Sequence, residues 1–275
     1  MRLLLVRHGA GESQEGRVIG QADPPLSERG RVEIERLVAS AGEPPTRLVT
    51  SDLRRARASA DIFASRWKLE PVVDSRLREL DFGEWERCTW QELAREDPDR
   101  LAHWMRDWVR TPAPGGESFA DLVARLSDWL EEWGRTDGPQ GTTVVVAHAG
   151  SIRATLCRLL GVPLEEAFGF QVDYARVTAL SLWGATPTLI CRNADRWPDF
   201  PPHDDAQKRC PRCGEANECA VAAGKSVSAC WCFGARIPRE LLADLPEGAR
   251  GETCICSRCA AARHSGSPAV HRTIG

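Results

Sequence analysis

Two apolar runs in this chain each end at a histidine, and these two histidines are the first candidates for chemistry. The first run occupies residues 3–6 and continues into Arg7 and His8, while the second lies in residues 142–150, TTVVVAHAG, and ends at His148. Short apolar runs of this kind predict buried strands. Ligands of open α/β sheets bind where the carboxyl ends of strands meet. The pattern therefore predicts one site that contains two imidazoles.

Arginines add positive charge to this predicted site. Arg7 precedes the first histidine, and the helix predicted after the second strand contributes either Arg54 or Arg55. A cluster of cations without a carboxylate in its immediate shell suits a dianion such as a phosphoryl group. The backbone amides that open the helix after His148, from Ala149 onward, also favour an anion. Neutral histidine is a competent nucleophile for phosphorus, and both burial and neighbouring cations lower the pKa of an imidazole.

The elements that must position these side chains are strands that alternate with amphipathic helices. Strands are predicted at residues 3–6, 47–50, 71–73, 142–147, 175–182 and 187–192. Such alternation predicts an α/β fold in which helices cover both faces of a largely parallel sheet. We therefore expect a three-layer α/β/α sandwich whose strand ends carry the site.

The composition is that of an ordinary globular protein. The chain has 275 residues, of which 42% are hydrophobic and 27% charged, and its net charge is −3. So small a charge gives no reason to expect a nucleic acid or a membrane surface as a partner. No apolar run approaches the roughly 18 residues of a membrane span, and the apolar start is too short for a signal peptide. We expect a cytoplasmic protein with two domains, residues 1–200 and 201–275, joined by the proline-containing segment 199–205.

Eight of the eleven cysteines lie in the last quarter of the chain. They are Cys210, Cys213, Cys219, Cys230, Cys232, Cys254, Cys256 and Cys259. Cytosolic thiols stay reduced, so such a cluster indicates metal binding more often than disulfides. The two C-x2-C pairs have the local spacing of tetrahedral zinc sites. Two four-thiolate zinc sites, one site with free thiols, an iron–sulfur cluster and a disulfide scaffold all remain open. With so few residues to form a core, we expect structural zinc to stabilise this module and its tail to be flexible.

Four segments give the chain a resemblance to a known family. They are LVRHG at residues 5–9, SDLRRARASA at 51–60, LREL at 77–80 and VVAHAG at 145–150. In this order they resemble the motifs of the histidine phosphatase superfamily, which has the phosphoglycerate mutase-like fold. The resemblance covers residues 1–195 and implies hydrolysis of small phosphomonoesters through a phosphohistidine, with no cofactor in catalysis.

The resemblance also implies a role for each matching residue. His8 is the implied nucleophile and Glu79 the implied proton donor. The implied ligands of the phosphoryl oxygens are Arg7, Arg55 and His148. In the implied reaction the carboxylate first protonates the leaving oxygen and then deprotonates the water that hydrolyses the phosphohistidine.

Two of the roles that the resemblance implies have alternatives, namely the proton donor and one phosphate contact. Asp81 and Glu84 lie in the same loop as Glu79 and compete with it for the role of proton donor. The residues after Gly9 depart from the family pattern, and Gln14 lies nearest to an asparagine that the family uses as a phosphate contact. Gln14 is therefore a predicted substrate contact on position alone.

The middle of the chain narrows the choice of substrate. The order of motifs through residues 81–119 is similar to that of α-ribazole-5′-phosphate phosphatases, which act in cobalamin biosynthesis. In this interpretation residues 85–119 form a lid, called the lid segment below, and Phe82 and Trp85 stack on a flat base. The alternative for these aromatic residues is core packing. Alternative functions are a broad-specificity phosphatase and a phosphoglycerate mutase-like enzyme.

The cysteine-rich segment resembles a small bacterial family named for its CWC tripeptide, which stands here at residues 230–232. That resemblance implies no function and no protein partner. It leaves a non-enzymatic alternative, in which a metal-binding interaction module is carried on a phosphatase scaffold. The intact set of predicted catalytic residues favours the enzyme.

Overall fold

The structure is a computed structural model that describes residues 1–13, 15–136, 141–182, 187–198, 209–220, 230–235, 237, 241, 245 and 254–261. The chain divides into two compact units, Met1–Phe200 and Pro201–Gly275. The first unit contains six strands and six α-helices within these residues, and each unit is described by itself. Within the described part of the chain, no helix is both long and apolar enough to cross a membrane.

A mixed six-stranded sheet forms the centre of the first unit. Its strands are β1 (Arg2–Arg7), β2 (Arg47–Thr50), β3 (Val72–Val73), β4 (Thr142–Ala147), β5 (Val177–Ser181) and β6 (Thr188–Ala194), in the order β3-β2-β4-β1-β5-β6. Strands β1 to β4 pair in parallel, whereas β5 is antiparallel to both β1 and β6. The predicted sheet was largely parallel, and the two late strands are the exception. A short connection joins β5 to β6, and a parallel pair would need a crossover of a dozen or more residues.

Helices cover both faces of the sheet. They are α1 (Glu28–Ala39), α2 (Arg54–Trp67), α3 (Trp90–Glu96), α4 (Pro98–Arg106), α5 (Phe119–Thr136) and α6 (Ala149–Leu160). Alternate residues of β1 point to opposite faces, so Leu4 packs against α1 and α2 while Leu5 packs against α5 and α6. The predicted three-layer sandwich is confirmed, and β1 and β4 lie side by side at its centre.

The ends of the helices follow local chemistry that the sequence indicates in part. Ser27 caps α1 by accepting a hydrogen bond from the Gly30 amide at 3.0 Å. Before α5, the Ser118 amide donates to the Asp121 carboxylate at 3.0 Å and the Asp121 amide donates to Ser118 Oγ at 3.2 Å, which together form a capping box. α2 begins without a side-chain cap, since its N-cap residue is Leu53 and the Asp52 carboxylate pairs with Arg78.

The second unit is small and is organised by its cysteines. One helix, α7 (Ser257–Ala261), and a single 3-10 turn (Trp231–Gly234) lie within its described residues. Two groups of buried side chains form there, and every one of the eight late cysteines except Cys213 belongs to one of them. The burial of so many thiols in so small a unit makes them part of its core.

Candidate active site

His8 lies at the carboxyl end of β1 and is only 3% exposed. Its Nδ1 is 2.6 Å from the Gly9 carbonyl oxygen, which can only accept a hydrogen bond, so Nδ1 carries the proton in the neutral ring. Its Nε2 is then the nitrogen with the lone pair, and the Arg55 Nε–H donates to it at 3.2 Å. The local structure thus fixes one tautomer and presents one nucleophilic atom.

Arg55 is the arginine of the pair that reaches the site, since it is 1% exposed whereas Arg54 is exposed. Its two terminal nitrogens donate to carbonyl oxygens of the loop before α1, at 2.8 Å to Ala22 and 2.7 Å to Gly20. These bonds fix the guanidinium plane beside His8. The sequence pattern alone left the choice between the two arginines open.

Arg7 reaches the site from the other side of the same strand end. Its Nη1 donates to the Val172 carbonyl at 2.7 Å, and its Cζ lies 3.7 Å from the ring centroid of Tyr174. The Tyr174 ring centroid is also 5.5 Å from that of His8. Tyr174, the only tyrosine in the chain, was missed by sequence reasoning because nothing local links it to a residue more than 160 positions away.

His148 faces His8 at the end of β4, with ring centroids 4.8 Å apart. It is fully buried, and neither of its ring nitrogens has a hydrogen-bond partner in the part of the chain that the structure describes. Buried polar atoms in native proteins are nearly always paired. Two unpaired nitrogens beside a buried nucleophile are therefore the signature of a position that a polar ligand fills.

Both imidazoles are held in the neutral form. Burial, followed by the charges of Arg55 and Arg7, keeps the pKa of His8 well below 6.5. Burial, followed by Arg55, His8 and Arg7, does the same for the pKa of His148. A neutral imidazole keeps its lone pair, so His8 is competent as a nucleophile near pH 7.

Because the two buried histidines stay neutral in the folded chain, we expect the free energy of unfolding to depend on pH. In the unfolded chain each titrates near pH 6.5, and in the folded chain only at much lower pH. As the pH falls through 6.5 the unfolded state takes up two more protons than the folded state. The free energy of unfolding therefore decreases, with a slope that approaches about 2.7 kcal/mol per pH unit well below pH 6.5. Urea unfolding at several pH values below 6.5 measures this slope. We expect His148→Gln to halve it and the exposed-site control His103→Gln to leave it unchanged.

Glu79 lies in the loop after β3, and its carboxylate is oriented by two backbone amides. Oε1 accepts from Leu80 at 2.9 Å and Oε2 accepts from Gly150, in the first turn of α6, at 3.0 Å. A Cβ at position 150 would lie 2.1 Å from Oε1, so the close approach requires glycine. These bonds bring the carboxylate next to the helix that begins directly after His148.

The two competing carboxylates have other partners. Asp81 accepts from the Gly83 amide at 2.8 Å and shapes the turn that follows it. Glu84 forms an ion pair with Arg100 at 2.9 Å, in which both side chains are more than half exposed. Of the three predicted candidates for the proton donor, the geometry therefore favours Glu79.

Glu86 is a further residue that sequence reasoning missed. Its carboxylate accepts from three consecutive amides of the loop before α1, at 3.0 Å from Gly20, 2.7 Å from Gln21 and 3.1 Å from Ala22. The carbonyl groups of Gly20 and Ala22 are those that hold Arg55. Glu86 thus fixes the loop that fixes the arginine, and only the folded chain reveals the connection.

We expect Glu86→Ala to lower kcat/KM by ten- to a hundredfold for the phosphomonoester hydrolysis that the sequence motifs imply. Hydrogen bonds to a charged group contribute about 1.5–3 kcal/mol each, so losing three leaves the Arg55 loop without its fixed shape. The loss should fall mainly on KM and on the Kd for inorganic phosphate. Glu84→Ala is the matched control, because its exposed ion pair contributes little. Unchanged phosphate affinity in Glu86→Ala would contradict this positioning role.

The remaining predicted substrate contacts have different outcomes. Ala149 is the first residue of α6 and lies at the site. Gln14 lies outside the described residues. The stacking contact predicted for Trp85 is wrong, because this side chain is 2% exposed and its Nε1 donates to Asp97 at 2.9 Å. The indole belongs to the core of the lid segment, together with Trp104, so the core-packing alternative is the correct one.

An exposed aromatic ring, that of Phe168, lies beside Arg153. Phe168 is 62% exposed, and its ring centroid lies 4.7 Å from that of Trp108, in the lid segment. The guanidinium of Arg153 lies 5.1 Å from the Phe168 ring and is fixed by a 3.0 Å bond from its Nε to the Phe170 carbonyl. Arg153 is also close enough to Glu79 and Arg7 for their charges to affect its pKa, which burial lowers.

The second unit contains a group of four cysteines that could hold a metal. The sulfur atoms of Cys210, Cys213, Cys256 and Cys259 all lie within 4.8 Å of one another. Zinc bound to four sulfurs at about 2.3 Å requires neighbouring sulfurs about 3.8 Å apart, and those of Cys213 and Cys256 are separated by 3.7 Å. The donor set and its spacing therefore fit a tetrahedral soft metal.

Known proteins similar to this chain share its first unit. A bifunctional protein of Mycobacterium tuberculosis is 39% identical over 183 residues, which are 64% of this chain and 49% of the relative. An adenosylcobalamin/α-ribazole phosphatase of Escherichia coli is 29% identical over 70% of this chain and 96% of its own length. The solved structure of a mycobacterial glucosyl-3-phosphoglycerate phosphatase with VO3 is 32% identical, covers 70% of this chain and 98% of its own, and has a TM-score of 0.63.

Two family descriptions match the chain, one for each unit. The Mycobacterium tuberculosis protein is much longer than this chain, so the chain spans about half the length of that relative. Residues 210–261 match the cysteine-rich CWC family. Residues 3–195 match the histidine phosphatase superfamily, branch 1, and include every residue of the site from Arg7 to Tyr174. The chain belongs to the histidine phosphatase superfamily and carries a cysteine-rich CWC domain at its C-terminal end.

Proposed function

We propose that this chain hydrolyses small phosphomonoesters through a phosphohistidine formed on His8. The observation that carries the proposal is the buried Nε2 lone pair of His8, which lies between the Arg55 guanidinium and the unpaired ring of His148. A phosphoryl group placed there would contact both, and Arg7 would reach it from the same strand end. The positive charge is then already in place where negative charge develops in the transition state.

The proposed reaction has two displacement steps. In the first, the Nε2 lone pair attacks phosphorus in line, the bond to the leaving oxygen breaks, and Glu79 gives that oxygen its proton. In the second, Glu79 takes a proton from water as the water oxygen attacks phosphorus, and the electrons of the P–N bond return to Nε2. Arg7, Arg55 and His148 hold the phosphoryl oxygens in both steps. In this proposal these side chains supply the stabilisation that Mg²⁺ supplies in kinases, and no metal takes part.

For the substrate we propose α-ribazole 5′-phosphate, which would place the chain in cobalamin biosynthesis. The order of residues in the lid segment and the similarity to the Escherichia coli phosphatase support this proposal. The exposed ring of Phe168 offers a flat surface beside Arg153, whose pKa the charge of Glu79 affects. The stacking role predicted for Trp85 would therefore belong to Phe168.

A second candidate, a phosphoglycerate-type substrate, is favoured by one observation. Arg153 places a positive charge near Glu79, where it would attract a carboxylate on the leaving group. The mycobacterial glucosyl-3-phosphoglycerate phosphatase that resembles this chain bears such a substrate in its name. The two candidates differ in the charge of the leaving group, which makes them separable by experiment.

For the four-cysteine group we propose structural zinc. Four thiolates with tetrahedral spacing favour zinc over harder cations. Such a thiolate site persists in a reducing compartment, so we also propose the cytoplasm as the location.

The test is phosphate release by the full chain from α-ribazole 5′-phosphate, 3-phosphoglycerate and 4-nitrophenyl phosphate, with and without EDTA. We expect kcat/KM to be at least about tenfold higher for α-ribazole 5′-phosphate, since stacking of a base is worth on the order of 1–3 kcal/mol. EDTA should change none of the rates. A preference for 3-phosphoglycerate would select the second candidate, while loss of all activity in EDTA would contradict the metal-free reaction.

A further inference from the structure

The four late cysteines outside the first group form a group of their own. Cys219 and Cys230 are buried, and Cys232 and Cys254 pack against them together with Trp231. The sulfurs of Cys230 and Cys232 are 3.3 Å apart, and the Cys254 thiol contacts that of Cys219. We call this set the inner cluster, and Cys210, Cys213, Cys256 and Cys259 the outer cluster.

One buried side chain holds together the three chain segments of the inner cluster. Asn217 is 1% exposed, its Oδ1 accepts from the Cys219 amide at 3.1 Å, and its Nδ2 donates to the Cys254 carbonyl at 3.0 Å. Its own carbonyl accepts from the indole of Trp231 at 3.2 Å, between the two cysteines of the CWC tripeptide. These hydrogen bonds join the segments that carry Cys219, Cys254 and the CWC tripeptide, and so bring the four thiols together.

Four converging thiols need a physical reason. A thiol is a weak hydrogen-bond donor and acceptor, so four of them gain little from contact with one another. The unit has few other buried apolar side chains among its described residues, and a small unit of this kind needs a metal or disulfides to be stable. Four thiolates from three chain segments are the donor set of a structural tetrahedral site.

We propose that Cys219, Cys230, Cys232 and Cys254 form a second four-thiolate site for zinc, nested within the first site along the chain. The outer cluster takes the first two and the last two of the eight cysteines, and the inner cluster takes the four between them. The assignment rests on the cysteine contacts alone and does not depend on the proposed phosphatase reaction.

The nested order makes the two sites cooperative. Without the inner metal, the outer site must close the whole loop between Cys213 and Cys256. With it, residues 219 to 254 are already joined, and only two short connections remain. The entropic cost of closure grows with the logarithm of loop length, so the closure constant falls as its 3/2 power. The outer site should therefore bind zinc about tenfold more tightly when the inner site is filled. Linkage requires the reverse effect to be equal.

The first measurement is metal content of the full chain, by elemental analysis and native mass spectrometry on the same sample. We expect two zinc ions per chain. One should remain in the inner variant Cys230→Ser/Cys232→Ser and one in the outer variant Cys210→Ser/Cys213→Ser. The control Cys88→Ser/Cys191→Ser, in the first unit, should keep two. One zinc in the unaltered chain that the inner variant retains would overturn the proposal, as would a mass showing disulfides among the inner cysteines.

A second measurement covers the case in which a variant fails to fold. Titrating the unaltered, zinc-stripped chain with Co²⁺ should give the absorption of tetrahedral thiolate sites up to two equivalents, and competition with a chelator should give the affinity of each. The outer site in the inner variant should bind about tenfold more weakly than in the unaltered chain. Saturation at one equivalent would contradict the inner site. Phosphate release in the same samples reports separately whether the first unit is folded.

Discussion

His8→Ala is expected to abolish phosphate release, with a loss in kcat of at least about 10⁴-fold, because the variant lacks the atom that attacks phosphorus. Rapid acid-free quenching of the unaltered protein during turnover should trap a protein heavier by one phosphoryl group, and His8→Ala should show none. Intact-mass measurement on a millisecond to second scale makes the comparison. The fixed Nδ1–H tautomer predicts further that phosphorus is attached to Nε2, which ³¹P NMR of the trapped protein can identify.

The control for this experiment must be a histidine far from the reaction. His103 is exposed on α4 and contacts Arg106, so His103→Ala should leave both turnover and the trapped species unchanged. Turnover by His8→Ala at a rate near that of the unaltered protein would remove His8 as the nucleophile. A normal rate in the unaltered protein without a trapped species would instead favour direct attack by water.

Glu79→Gln is expected to slow hydrolysis of alkyl phosphates by about 10²–10⁴-fold while slowing 4-nitrophenyl phosphate much less. An alkoxide needs a proton as it leaves, whereas a nitrophenolate does not. Glutamine keeps the acceptor oxygen for one of the two backbone amides at Leu80 and Gly150, so the loop should keep its shape. Steady-state kinetics with both substrates, and trapping of the phosphoprotein, measure the two steps separately.

Matched variants decide whether the effect belongs to Glu79. Asp81→Asn and Glu84→Gln change carboxylates of the same loop that face a backbone turn and Arg100. We expect both to retain the ratio of rates for the two substrates. If Asp81→Asn instead reproduced the selective loss, Asp81 would be the proton donor, and an equal loss on both substrates in Glu79→Gln would leave Glu79 with a structural role only.

The side chains at the ends of the strands can be predicted from the amino-acid sequence, because each follows directly after the apolar run that forms its strand. An apolar run followed by a histidine identifies both the strand and the group it delivers, so the sequence alone predicts that His8 and His148 share one site. The choice between Arg54 and Arg55 is not local, since both fall near the start of one helix and differ only in which of them the loop at Gly20 meets. The roles of Tyr174 and Glu86 could not be predicted from the sequence for the same reason, because each contacts residues far away along the chain.

The aromatic residues show where pattern and chemistry diverge. Tryptophan is suited both to stacking on a base and to filling a small core, and its spacing does not distinguish these uses. In Trp85 the deciding contact is the hydrogen bond from its indole to Asp97, which fixes the ring inside the lid segment. Phe168 has no polar atom that needs a partner, and its ring stays exposed beside Arg153.

The central place of β1 in the sheet has a consequence for how the protein is made. β1 leaves the ribosome well before its neighbours β4 and β5, whose last paired residues are Ala147 and Ser181. At about 5–20 residues per second, roughly 10–30 s of translation separate the nucleophile from its second neighbouring strand. During that time β1 has no strand partner, so this strand is where a nascent chain most needs a chaperone, and a translational pause before β4 would prolong that need.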